Sequence, residues 1–231
     1  MINLSNLRFA WQKEAIIDIS SLNVKKGQHL FIQGPSGSGK STLLNLLGGV
    51  LTPQSGDIEI LGQQLDELSA SQKDSFRANH IGFIFQQFNL IPYLSVIDNI
   101  TLPCTFSAPR KAKALKRSGS LEKEATRLLA ALGLDDADLL KRSVNELSVG
   151  QQQRVAAARA MLGSPEIIIA DEPTSALDND HRQAFIKILF EECQKEEITL
   201  IFVSHDSTLK DNFTHQVNLQ DINQVAIKET L

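Results

Sequence analysis

The sequence predicts an α/β protein: a core with a parallel sheet, an antiparallel β subdomain at the N-terminus, and an inserted helical subdomain. Three observations carry this. Short apolar runs at Leu30-Phe31-Ile32, Ile81-Gly82-Phe83-Ile84-Phe85, Ile167-Ile168-Ile169-Ala170 and Ile198 to Val203 read as buried strands. Helix-like segments lie between them, at 43–47, 65–79 and about 179–194. The stretch from Phe88 onward changes character, becoming turn-rich and then helical.

The bulk properties narrow the class. At 231 residues the chain has ample core and reads as one domain. Its α/β core covers 1–87 and 163–231, and the helical subdomain covers about 88–162. The net charge of -4 gives no reason to expect nucleic acid as a partner. Cys104 and Cys193 are far apart and suggest neither a disulfide framework nor a zinc site, which suits a reducing compartment. The N-terminus lacks the form of a signal peptide, and no run of about 18 apolar residues occurs. A cytoplasmic protein is expected, reaching a membrane only through a partner.

The first segment reads as strands led by Ile2, Leu4 and Leu7, followed by Ile16–Ile19 and Leu22–Val24, a Lys25-Lys26-Gly27 turn and His29–Gln33. Trp11, the only tryptophan, reads on composition as a partly buried residue closing a strand, or as a surface on which a base could stack.

Next comes Gly34-Pro35-Ser36-Gly37-Ser38-Gly39-Lys40-Ser41-Thr42, between an apolar run and the helix-like Leu43–Leu47. It matches the pattern G-x-x-x-x-G-K-[ST] in the strand–loop–helix context that pattern needs, so the core is that of a P-loop NTPase. The glycines let successive N–H groups turn toward an anion, and the helix start adds its positive end. Lys40 can reach the β- and γ-phosphates, and the Ser41 hydroxyl can ligate Mg²⁺.

Pro53–Gly56 reads as a turn, Asp57–Leu61 as a short strand, and Gln86 as a polar residue at a sheet's carboxyl edge, where such folds place ligands. Pro103 and Pro109 interrupt any long helix. Arg110, Lys111, Lys113, Lys116 and Arg117 form a stretch without acids, readable as a solvated helix end or as a face toward anionic lipid or an acidic partner. Leu121–Leu132 has helical spacing. Ser148 is placed to cap an Ala-rich helix that continues through Leu162. Asp171 and Glu172 close a buried strand, where acids can hold Mg²⁺ and polarise water. His205 follows the strand ending near Val203, and the segment with Val217, Leu219, Val225 and Ile227 reads as a terminal hairpin.

The ordered set Gly34–Thr42, Gln86, Leu147–Gln151, Asp171-Glu172, Ser175–Asp178 and His205 resembles the nucleotide-binding subunit of ATP-binding cassette (ABC) transporters over nearly the whole chain. The resemblance implies ATP and Mg²⁺ as cofactors and a second copy of the chain as partner. Two copies sandwich two ATP, and Ser148, Gly150 and Gln151 of one copy face the γ-phosphate held by the other copy's P-loop. It implies that Trp11 stacks on adenine, and that Gln86 meets Mg²⁺ and couples to an integral-membrane permease. Asp171 organises Mg²⁺, Glu172 is the general base, Asp178 lies across the dimer interface, and His205 contacts the γ-phosphate. Val149 departs from the family's usual glycine, so this position is expected to be β- or α-like rather than at positive φ.

Phe85–Pro92 and Val96–Ile100 look like the lipoprotein-release, macrolide-export and cell-division group, and a chain without an added C-terminal regulatory domain suits that group. Two other readings stand beside the transporter: a soluble ABC protein of DNA repair or translation, and a regulatory module without turnover. The expected location is the inner face of the plasma membrane, through the permease.

Overall fold

Long antiparallel pairing of the N-terminal strands follows directly from their alternation. In a computed structural model, which describes residues 1–225, these strands are Ile2–Trp11 (β1) and Glu14–Val24 (β2). Then come His29–Gln33 (β3), Lys40–Leu47 (α1), Ser55–Ile60 (β4), Gln63–Gln64 (β5), Ala70–His80 (α2) and Ile81–Ile84 (β6). Four helices follow: Val96–Thr101 (α3), Pro103–Phe106 (α4), Ala108–Ser118 (α5) and Leu121–Ala131 (α6). The remainder is Val149–Met161 (α7), Ile167–Asp171 (β7), Asn179–Lys195 (α8), Thr199–Ser204 (β8), His215–Asn218 (β9) and Leu219–Ile222 (α9). The backbone divides into two compact units: Met1–Arg77 with the chain from Ile201 onward, and Ala78–Leu200.

In the first unit β1 lies between β2 and β4 in an antiparallel sheet. Ile2 and Leu4 point into the core, and so do Leu7 and Phe9. The phase of alternation therefore switches between them, where Asn6 adopts φ 48° and the pairing with β4 shifts register. Gly56 faces this bend, and a Cβ there would lie 2.2 Å from the Asn6 carbonyl oxygen. Phe31, Phe202 and Phe213 stack under β3, with ring centroids 5.0 to 6.2 Å apart.

Of the C-terminal hairpin expected from the sequence, the described residues hold one strand. β9 pairs in parallel with β3, Leu30 opposite His215 through Gln33 opposite Asn218. Asn218 then caps a helical turn by accepting from the Gln220 N–H, and Asn223 returns to β2, accepting from the Asp18 N–H at 2.7 Å and donating to the Ile16 carbonyl at 2.9 Å. Ile227 lies outside the described residues.

In the second unit β6 and β7 pair in parallel, Ile81 opposite Ile167 through Ile84 opposite Ala170. The small buried face of α7 (Ala156, Ala157, Ala158 and Ala160) lets backbones come close. A Cβ on Gly82 would lie 2.2 Å from the Ala160 carbonyl oxygen. Pro103 and Pro109 sit in the first turns of α4 and α5, where they start helices, because the N–H that proline lacks has no helical partner there.

The basic stretch is largely consumed within this unit. Arg110 is buried and donates to the carbonyls of Leu162 and Ala160, each at 2.8 Å, closing the C-terminal end of α7. Lys113 donates to Glu166 at 2.9 Å and Arg117 to Glu196 at 2.5 Å, and both lie at the surface with Lys111 and Lys116. No helix of the described residues is long and apolar enough to cross a membrane.

Candidate functional site

The residues singled out by the sequence fall into two sets, one in each unit. In the first unit, the loop after β3 reaches α1 through Gly39 at φ 96°, and no side chain caps the helix. A helix start of this kind presents its positive end to an anion. Two glycines are required by contact. A Cβ on Gly34 would lie 2.6 Å from Ser38 Oγ, and one on Gly39 would lie 3.0 Å from Ile17 Cδ1 and 3.2 Å from the Ile16 carbonyl oxygen. The loop is thus seated on β2, and Gly37 turns it at φ 79°. Lys40 Nζ donates to the carbonyls of Gly34 at 2.7 Å and Pro35 at 2.8 Å, which holds the ammonium across the loop. Ser38 Oγ is buried and has no hydrogen-bond partner. A cation, a helix start without a side-chain cap and an unsatisfied hydroxyl on one loop match the acceptor-rich chemistry of a phosphate. Ser41 is exposed and Thr42 half-buried at the start of α1.

Trp11 ends β1, stands 53% exposed, and meets Phe9 edge-on at 5.0 Å. Its ring therefore offers a surface that a base could cover. His205 follows β8 and is exposed; beside it the Asp206 N–H donates to Ser204 Oγ at 3.1 Å, and Asp206 caps the next turn by accepting from the Thr208 N–H at 3.0 Å. Both its neighbours are thereby fixed.

In the second unit, Gln86 is exposed in the turn after β6. Phe88 and Asn89 follow at φ 59° and 49°, in the left-handed region. Asp171 ends β7, and Glu172 turns away at φ 47° while only 9% exposed. Left-handed backbone at residues other than glycine costs on the order of 1–3 kcal/mol each and is held only by its surroundings. Part of that hold is visible: Gln153 Nε2 donates to the Pro173 carbonyl at 2.6 Å.

Ser148 caps α7 as its position predicts. Its Oγ accepts from the Gln151 N–H, and Gln151 Oε1 accepts from the Ser148 N–H at 2.9 Å, a complete capping box. Val149 is the first helical residue, and Gly150 is not at positive φ. Asp178 caps α8 by accepting from the His181 N–H at 3.0 Å, and lies 2.7 Å from His181 Nδ1. A concavity of about 440 Å³ brings Ser148, Val149, Gly150 and Gln151 together with Asp178 and His181. Gln153 and Arg159 escaped the sequence reading. For Arg159 a signal was present, a charge set among the small apolar residues Ala156–Ala160, whereas Gln153 lies in a polar run and gives none.

A strand–loop–helix phosphate cradle in one unit, and a capped helix with an acid-tipped strand in the other, are the parts of a nucleotide-binding ATPase cassette. Residues 17–175 match the family model described as ABC transporter, and the chain belongs to that family. It is 37% identical over 229 residues to an uncharacterised ABC transporter ATP-binding protein, YknY of Bacillus subtilis, covering 97% of this chain and 95% of that one. It is 36% identical over 225 residues to the macrolide export ATP-binding/permease protein MacB 1 of Yersinia pestis bv. Antiqua, covering 96% of this chain and 33% of that protein. The chain thus spans about a third of the length of such macrolide-export relatives. The ATP-binding cassette MJ0796, solved as a dimer in a post-hydrolysis state with ADP and Pi, superposes with a TM-score of 0.82 at 33% identity, covering 99% of this chain and 98% of that one.

Proposed function

We propose that two copies of this chain close around two ATP–Mg²⁺ and hydrolyse them to drive an integral-membrane permease. The carrying observation is the seated loop at 34–42, with its uncapped helix start and Lys40 held across it. The concavity at Ser148–Gln151 and Asp178 is the surface offered to the second copy's nucleotide. The dimer of MJ0796 supports this assembly.

In this reading Lys40 and the loop N–H groups hold the β- and γ-phosphates, and Trp11 stacks on adenine. Ser41, Asp171 and Gln86 would hold Mg²⁺, which supplies charge neutralisation on the phosphates. Among the described residues no three His, Cys, Asp or Glu side chains form a metal cage. A Mg²⁺ bound largely by phosphate oxygens needs none. Glu172 accepts a proton from water as its oxygen attacks the γ-phosphorus; the bond to the β–γ bridging oxygen breaks, and ADP leaves. His205 orients the water and the γ-phosphate.

The likeness to macrolide-export proteins favours a permease of that type and a place on the inner face of the plasma membrane. Glu172→Gln tests the chemistry. Phosphate release should fall about 10²- to 10⁴-fold while ATP binding persists and a dimer accumulates on gel filtration. Near wild-type release would remove Glu172 from the role of base. Purification of that variant from native membranes tests the partner, and recovery of no membrane protein would favour a soluble regulatory ATPase.

A further inference from the structure

Arg159 sits near the end of α7 and is 9% exposed. Nη1 donates to the Asn89 carbonyl and Nη2 to the Phe88 carbonyl, each at 2.6 Å. These are the two consecutive residues in left-handed backbone after Gln86. The fork of a guanidinium can serve two carbonyls at once, which the single nitrogen of a lysine cannot do with the same geometry. Farther along the segment, buried Asn99 repeats the device. It accepts from the Ile91 N–H at 2.7 Å and donates to the Ile91 carbonyl at 3.0 Å. Phe88 is itself buried, whereas Tyr93 is 84% exposed. The segment from Gln86 to Ser95 is therefore a shaped piece pinned from inside, not a slack connection. Burial lowers the pKa of Arg159, the cost of placing this cation where water is scarce.

We infer that Arg159 is a positioning residue for Gln86. It fixes Phe88-Asn89 to the helix that Ser148 caps, so a displacement of α7 and a displacement of the Gln86 loop are one event. This rests on the proposed role of Gln86 at Mg²⁺ and adds the part that sets it there.

The test uses the full chain with Arg159→Met, Arg159→Lys and Gln86→Ala. Arg127→Met is the stability control, since Arg127 pairs with Glu124 and touches no part of the loop. Arg159→Met should lower turnover or raise the Mg²⁺ needed for half-maximal rate by about 10- to 100-fold, with Arg159→Lys between it and wild type. Binding of a fluorescent ATP analogue in EDTA should be unchanged. Chymotrypsin should cut after Tyr93 about tenfold faster, as expected when a local clamp is lost.

A wild-type Mg²⁺ dependence and cleavage rate in Arg159→Met would overturn the positioning role. So would an equal change in Arg127→Met at matched melting temperature. If Arg159→Met does not fold, Arg159→Lys decides: intermediate values support the role and wild-type values end it. A wild-type Gln86→Ala overturns the role of Gln86 itself, and with it any positioning by Arg159. An impaired Gln86→Ala beside a wild-type Arg159→Lys or Arg159→Met overturns the role of Arg159 alone.

Discussion

Gln153 on α7 donates its side-chain amide to the Pro173 carbonyl at 2.6 Å, joining the helix that opens at Ser148 to the loop that leaves Glu172. Gln153 is 1% exposed, so neither partner of this bond is replaced easily by water. A buried carbonyl stripped of its donor costs the desolvation of that group. Gln153→Leu should therefore destabilise the chain by about 1–3 kcal/mol in urea unfolding. It should also lower phosphate release by more than the unfolded fraction explains, because the left-handed turn at Glu172 loses a support. Equal midpoints for variant and wild type in urea would show that the bond carries no weight.

The main features of the fold were legible because they rest on local pattern. The continuous apolar strands, the loop at 34–42 and the Ser148 cap each announce themselves within a few residues. The missed features depend on what arrives from elsewhere in the chain. Gly82 in an apolar strand looks like an ordinary small residue, and only the Ala160 carbonyl oxygen 2.2 Å from a would-be Cβ explains it. Arg110 and Lys113 read as surface charge until α7 and Glu166 supply their partners. That the C-terminal strand pairs in parallel with β3 is likewise invisible locally, since nothing near it says that β3 has an edge for it. Phe88 carries no sign of left-handed backbone, and the Arg159 guanidinium that holds the Phe88 and Asn89 carbonyls arrives from α7. The candidate residues are similarly divided: their types and order were readable, but the support of Glu172 by Gln153 through Pro173 was not.

Acid should find the second unit through Glu166. Burial alone would raise its pKa, but hydrogen bonds with His80 and Lys113, each at 2.9 Å, outweigh burial and hold it down to about 2 from an ordinary 4.5. A carboxyl with a depressed folded-state pKa takes up its proton more readily when unfolded. Its stabilisation is therefore complete above about pH 4.5 and is lost as pH falls toward about 2. In urea titrations wild type should be more stable than Glu166→Gln at neutral pH, and the gap should close across that window. A gap that widened as pH fell would reverse the sign and remove Glu166 from the acid response.

Val149 is the remaining departure, and its geometry predicts that activity survives it. A glycine at this place could be demanded by a positive φ, by a close backbone approach or by a ligand needing room. The first does not apply, since Val149 is the first residue of α7 and is not at positive φ. The side chain is 48% exposed, so the fold does not crowd it. The neighbouring Gly150 would meet nothing within 4 Å of an added Cβ, so this helix start is open on the surface. In the proposed dimer the third demand concerns the second copy's nucleotide, and the flanking capping box holds the helix start in place whichever side chain stands at 149. Val149→Gly should thus alter turnover at saturating ATP–Mg²⁺ by no more than about threefold, on the scale of a small helix-propensity difference. A rise of orders of magnitude in phosphate release would mean that valine obstructs the closed dimer, and that an exposed helix start in one copy does not predict the space left between two.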